Sequence, residues 1–400
     1  MFFELIRAGL FPSNSTRILV HEASVDWNEV FRLAEEQSVV GLVAAGINTL
    51  PLSDRPPQKV TLQFVWHTLH LEQRNKALNE FIAVLTNRLR QEDIYAILVK
   101  GQGIARCYEM PLWRACGDVD LLLSDSNYEK AKKLLLPLAS DVKPENTYYK
   151  HLGMTIDGWV VELHGTLRSG LGRSIDSGLE KVQETVFCEG KVRTWTNGDT
   201  QVFLPSPDED VVFVFAHILQ HFYKEGIGLR QICDWCRLLY TYRDSLNYML
   251  LESRIKSMGV MTEWRAFYNL ACRYLGMPDL DSGLTDIESA TPQHSSNKLG
   301  SAHGSTAGLM SQDSKYDKKA DKIMAFVLET GNFGHNRDYS YRKKYPYLVF
   351  KAISLWKHIK DFGRYFVIFP LDAIKVTWRR ICMGIVVAIE ESTGKNTKGA

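Results

Sequence analysis

The stretch Val99–Leu123, VKGQGIARCYEMPLWRACGDVDLLL, decides the reading of this 400-residue chain. It holds a glycine turn, a short amphipathic segment, and Asp118 and Asp120 separated by one apolar residue. Just before it, YAILVK is a strand-like apolar run; GIARCYEM suits a helix, and DVDLLL reads as a second strand. Ser126 followed by Glu129 has capping-box spacing and predicts a helix through YEKAKKLLLPLA. YYKHLGMTI and WVVELHG then read as two strands joined at Asp157-Gly158 by a tight hairpin turn. This order predicts a small α/β core with a mixed sheet over residues 93–205.

Helical patterns flank that core. Residues 1–92 carry helical periodicity, with Val30, Leu33, Ala34, Val40 and Leu42 on one stripe and a long helix from about Lys59 to Arg90. Residues 206–279 return to helix, and Pro and acidic residues near Asp208 mark its start. Residues 280–316 are rich in Ser, Gly and Thr and predict a linker or long loop, followed by a basic, aromatic helical tail over 317–400. The expected class is α+β: a small mixed-sheet core flanked by N- and C-terminal helical domains.

Composition narrows the function classes. The chain is 45% hydrophobic and 24% charged with a net charge of +2, so any basic site is local, and a long nucleic-acid duplex is a poor partner. Glu4 and Arg7 interrupt the apolar N-terminus, which excludes a simple signal peptide, and no run has the roughly 18 uncharged apolar residues of a spanning helix. Seven scattered cysteines make no disulfide framework, which predicts a reduced, cytoplasmic protein.

Side-chain alternation puts Asp118 and Asp120 on one face of their strand, with Val119 and Leu121 toward the core. The same parity puts Val160, Glu162 and His164 together. If the two strands are neighbours, three carboxylates converge at the sheet edge, an arrangement that calls for a divalent cation. Hard oxygen donors suit Mg2+, with Mn2+ as a substitute, and such a site serves in-line phosphoryl or nucleotidyl displacement. Taken alone, Asp-x-Asp fits a solvated strand end equally well. Gly101 and Gly103 could let backbone N–H groups approach a phosphate, with Lys100 adding a point charge, although the turn is not a Walker pattern.

A strand ending in Lys-Gly, a helix, Arg114, Gly-Asp-x-Asp and a later Glu-Leu-His strand resembles the uncharacterised nucleotidyltransferase family of the DNA polymerase β-like superfamily. The segment with Trp27 and the stretch HILQHFYKEGIGLRQICDW are similar to bacterial members of that family. The resemblance implies that Gly101, Gln102 and Gly103 form the nucleotide turn, with Asp118, Asp120 and Glu162 as catalytic metal ligands. It also implies that Arg114 faces phosphate. The turn departs from the superfamily pattern in being Gly-Gln-Gly, and the insert before Asp118 is long.

Other features have plainer readings. His217 and His221 share a helix face and suit a core or inter-domain role, since further zinc ligands are missing. Arg230 and Asp234 have helix ion-pair spacing, while the resemblance also makes Arg230 a phosphate contact. Cys233 and Cys236 are assigned to packing. The basic–aromatic tail could serve a nucleic acid, and its apolar end a membrane surface, but packing on the helical domain is preferred. The expected activity is Mg2+-dependent transfer of an NMP from an NTP, such as ATP, to an unidentified hydroxyl or phosphate acceptor, preferably a small molecule. A phosphotransferase and a non-catalytic nucleotide sensor or partner-binding protein are the alternatives.

Overall fold

Four leading helices, α1 (Phe2–Leu10), α2 (Trp27–Glu36), α3 (Val40–Asn48) and α4 (Gln58–Gln91), bring the chain to the first strand. The computed structural model describes residues 1–12, 25–224, 226–280, 309, 312–334, 336, 344 and 347–378. The stripe read through Val30 and Val40 is split between two helices by a turn in which Ser38 has a φ of 56°.

Next come β1 (Ala96–Val99), α5 (Gly101–Ala105), β2 (Asp118–Leu123), α6 (Asp125–Leu135), β3 (Asp141–Val142), β4 (His151–Ile156), β5 (Trp159–His164) and α7 (Arg173–Cys188). A closing hairpin, β6 (Val192–Asn197) and β7 (Thr200–Pro205), completes one mixed seven-stranded sheet of order β3-β4-β5-β2-β1-β7-β6. Strand β2 pairs antiparallel with β1 and parallel with β5, and β1 pairs parallel with β7. The fold is therefore α+β with a mixed sheet, as expected. The β4–β5 hairpin turns at Asp157 and Gly158, both with positive φ, as a two-residue turn between right-twisted strands requires. One local expectation fails: α6 starts at Asp125, and its N-cap Ser124 makes no side-chain cap bond, so the Ser126–Glu129 capping box does not form.

The odd residues of β2 and β5, Val119, Leu121, Leu123, Val161 and Leu163, enter a core with α4 and α6. The other face turns toward α8 (Pro207–Lys224) and α9 (Leu229–Tyr242). With α10 (Tyr248–Met258) and α11 (Met261–Leu275), these join the N-terminal helices in a second core that includes Leu5, Phe215, Trp235 and Trp264.

Of the segment read as a linker, residues 281–308, 310 and 311 lie outside the described residues. Its ends are packed, with Leu280, Leu309 and Tyr316 buried. Helices Asp317–Thr330 and Tyr347–Ile368 follow. Tyr365 packs against Phe222 and Phe326 at ring-centroid distances of 5.3 and 5.4 Å, so the described part of the tail does pack on the helical core. Residues 379–400 of the tail lie outside the description. Among the described residues no helix is long and apolar enough to cross a membrane.

An acidic group is trapped where the tail docks. Glu263 is buried, and its Oε1 accepts from the Tyr223 hydroxyl at 3.1 Å. Burial, then the charge of Asp372 on the tail, pushes its carboxyl up to about 8. A raised folded-state value means the folded protein holds the proton where the unfolded chain has released it. Stability from this group is therefore complete below the unfolded value of 4.5 and is lost as pH rises toward 8, at up to about 1.4 kcal/mol per pH unit. Urea denaturation from pH 5 to 9 should show Glu263→Gln losing less stability than the parent over that range; equal slopes would contradict the assignment.

Candidate active site

Register decides which side chains meet. In the parallel pairing of β2 with β5, Asp118 lies opposite Val160, Asp120 opposite Glu162 and Leu122 opposite His164. Directly paired residues share a face, so Asp118, Asp120, Glu162 and His164 all lie on the face turned toward α8 and α9. One carboxylate oxygen from each of Asp118, Asp120 and Glu162 can be chosen so that all three lie within 4.8 Å of one another. The convergence inferred from parity is present in the structure.

The turn after β1 supplies the cation nearest these acids. Lys100 has a φ of 61° and Gly101 a φ of 46°, and the first is a conformation that costs a non-glycine residue about 1–3 kcal/mol. This backbone aims Lys100 at the sheet face, where Nζ lies 2.8 Å from Asp120 Oδ1. His164 Nε2 lies 2.8 Å from the same oxygen. Burial alone would raise the Asp120 carboxyl, but the Lys100 charge and the His164 bond outweigh it and hold Asp120 well below the usual range. Asp118 moves the other way, raised by the charge of Asp120 and then by burial. Glu162 is lowered by its bond from His151, against burial, and His164 is lowered by burial. Asp118 thus carries repulsion from its neighbour that the charges of Lys100 and Arg230 only partly offset. With hard oxygen donors close together, this is the chemistry of a site that can hold a divalent metal.

Above the acids, α8 and α9 close a cleft lined by Lys100, Asp118, Asp120, His217, Arg230 and Asp234 among others. His217 is held well below its usual range by burial and then by the Lys100 charge, and its Nε2 lies 3.0 Å from His221 Nε2. His217 therefore belongs to the cleft roof, with His221 one helical turn further along α8. Arg230 also lines the cleft and donates from Nη1 to the Ala115 carbonyl at 3.2 Å. Cys233 and Cys236 are fully buried in α9, in keeping with packing.

Four groups assigned from the sequence have other contacts in the structure. Arg114 spends its guanidinium on Asp234, with Nε and Nη2 donating to the two carboxylate oxygens at 2.8 and 2.6 Å, all buried. Asp234 therefore pairs with Arg114 in the loop before β2, and the expected Arg230–Asp234 helix pair is replaced by this longer-range one. Gln102 points away from the cleft and donates to Asn75 Oδ1 at 2.8 Å. Asn75 in turn donates to the Leu112 and Arg114 carbonyls, so Gln102 helps hold the pre-β2 loop. Gly103 is small for packing: a Cβ there would lie 2.8 Å from Leu204 Cδ2, and its N–H already donates to the Lys100 carbonyl. Of the glycine turn, Gly101 alone keeps a place in the cleft lining.

His151, whose Nε2 lies 3.2 Å from Glu162 Oε2, escaped the sequence reading. His164 had the correct parity but no assigned role. The signal for His151 was its place in the β4–β5 hairpin, where it pairs with His164.

The family model of the uncharacterised nucleotidyltransferases matches residues 23–276. The chain belongs to that family. The matched region runs from just before α2 to the end of α11, so family membership covers the sheet, the acid cluster and the helices that roof it. No curated protein and no solved structure matches the chain.

The Arg114–Asp234 pair allows a direct test of this architecture. Asp234→Ala would leave a buried guanidinium uncompensated and should cost about 3–5 kcal/mol in urea denaturation. A loss below 1 kcal/mol would show that Arg114 has another partner.

Proposed function

We propose that the chain is a Mg2+-dependent nucleotidyltransferase that moves an NMP from an NTP to a small acceptor bearing a hydroxyl or phosphate. The observation that supports this reading best is the convergence of Asp118, Asp120 and Glu162 within 4.8 Å beneath a roof carrying Arg230, in a chain of a nucleotidyltransferase family. These three carboxylates would hold the metal, and their hard oxygens favour Mg2+, with Mn2+ able to substitute. When bound, the ion would neutralise phosphate charge and favour displacement at the α-phosphorus.

The protein's own groups have definable tasks. Lys100 is poised at Asp120 and Arg230 hangs from the roof, so two cations border the space where a triphosphate would lie. Gly101, with positive φ and no side chain, leaves the cleft floor open beside Lys100. Glu162 would either complete the metal's ligands or, with an oxygen left free of the ion, accept the proton of an acceptor hydroxyl. The acceptor oxygen then forms its bond to the α-phosphorus as the bond to the β-phosphate bridge breaks, and pyrophosphate leaves. Arg114 contributes by fixing the loop that delivers Asp118, through Asp234 and Asn75.

A second reading has one observation in its favour. Lys100 Nζ already neutralises Asp120, as it would in a protein that binds nucleotide without transferring it. Incubation with each α-labelled NTP, Mg2+ and the small molecules that co-purify with the protein separates the two readings. Label on an acceptor with pyrophosphate release supports transfer, release of a nucleoside diphosphate supports a phosphotransferase, and tight binding without turnover supports the sensor. Asp118→Asn should abolish label transfer while leaving the thermal midpoint unchanged or higher, because it removes the carboxylate that Asp120 repels. Transfer at the parent rate would sink the assignment.

A further inference from the structure

The β4–β5 hairpin places a second set of donors beside the carboxylates. His151 lies directly opposite His164 in the antiparallel register, and Glu162 lies two residues before His164, so all three project from the same face. His151 Nε2 is 3.2 Å from Glu162 Oε2, His164 Nε2 is 3.9 Å from the same oxygen, and one donor atom from each residue lies within 4.8 Å of the others. The imidazole rings approach to 4.8 Å between centroids. Metal–ligand lengths of about 2.0–2.1 Å put neighbouring donors of a tetrahedral ion about 3.3 Å apart. The 3.2 Å separation of His151 from Glu162 is already there, and the 3.9 Å separation of His164 from Glu162 needs only a small contraction.

We propose that His151, Glu162 and His164 form a binding site for a borderline divalent transition-metal ion of the zinc and cobalt class, adjacent to the Asp118/Asp120 pair and sharing Glu162 with it. Two imidazoles and one carboxylate are the donor set that such ions prefer and Mg2+ does not. Three protein donors also leave a position open to water or a substrate oxygen, the pattern of catalytic rather than structural sites. Solvent can reach the site, because the His151 side chain is 36% exposed. The carboxylate is divided between neighbours: the Lys143 ammonium stands 4.0 Å from Oε1, while the imidazoles address Oε2.

Sharing has a consequence for the first site. His164 Nε2 now contacts Asp120 Oδ1, and an ion that takes this nitrogen ends that contact. Occupancy of the histidine site would therefore leave Lys100 as the one close partner of Asp120 Oδ1 among the described residues, as well as engage Glu162. The inference rests on donor geometry and holds whether or not the protein transfers nucleotides.

The test uses untagged, metal-stripped full-length protein and Co2+ as a visible probe. One equivalent of Co2+ should give the absorption of a low-coordinate imidazole-bound ion, bleached by one equivalent of Zn2+ and retained in a large excess of Mg2+. His151→Ala and the closer-shaped His151→Asn should each weaken Co2+ binding at least about tenfold with unchanged circular dichroism, whereas Asp118→Asn should retain the band. Absence of the band in the parent would overturn the proposal. So would a band that both His151 variants keep, which would place the ion elsewhere, for instance at His217 and His221. Bleaching by Mg2+ as readily as by Zn2+ would assign it to the carboxylate pair. No turnover is read, so this result stands apart from the nucleotide-transfer experiment.

Discussion

The site depends on one backbone pairing, the parallel register in which Asp120 of β2 faces Glu162 of β5. A strand slip of one residue would move Asp118 and Asp120 into the core shared with α4 and α6 and turn Val119 and Leu121 toward the cleft. That exchange is strongly disfavoured, because it strands carboxylates among Leu, Ile and Phe while exposing aliphatic side chains. Burial of the odd residues therefore holds the even ones in place. The hydrophobic face of the sheet is what keeps the acidic face assembled.

Assembling those acids costs free energy that the surrounding structure offsets locally. Asp120 is almost fully buried, and an isolated carboxylate there would be held near neutrality by desolvation. Lys100 and His164 reverse this by placing two nitrogens 2.8 Å from Oδ1. The left-handed backbone at Lys100 follows from the same requirement: an ordinary extended residue at the end of β1 would continue along the strand, whereas this turn brings the ammonium back over the neighbouring strand. Among the described residues Asp118 has no comparable direct ion pair, so the imbalance between two carboxylates separated by one residue is built into the turn.

How much of this was legible in the sequence divides along a physical line. Alternation within a strand is local, and it correctly grouped Asp118 with Asp120 and Glu162 with His164. The Asp157-Gly158 turn was legible for the same reason, since two positive-φ positions favour those residue types. The β6–β7 hairpin, with its two-residue turn at Gly198-Asp199, escaped notice because its strands are largely polar or irregular in alternation. The partners of Arg114 and Gln102 were not legible at all. Asp234 is 120 residues from Arg114, and Asn75 is 27 residues from Gln102. Spacing rules for helices pointed Asp234 to Arg230, and tertiary packing supplied a better, fully buried partner.

That long-range pair explains why the helical lobes belong with the sheet. The loop from Cys107 to Gly117 has little regular structure of its own, yet it must deliver Asp118 to β2 in the correct register. Asn75 on α4 grips its Leu112 and Arg114 carbonyls from one side, while Asp234 on α9 and the Tyr108 hydroxyl complete a buried network from the other. A sheet without either lobe would leave these polar groups to water and the loop unconstrained. The helices thus do more than cover the cleft. They convert a loop whose regular structure is a single 3-10 turn at Pro111–Trp113 into a fixed lead-in to the acidic strand, and α9 carries Arg230 into the cleft on the same rigid element that locks Arg114. Roof and floor are consequently positioned by one hydrogen-bonded framework, so a movement of α9 would shift Arg230 and loosen the lead-in to Asp118 together.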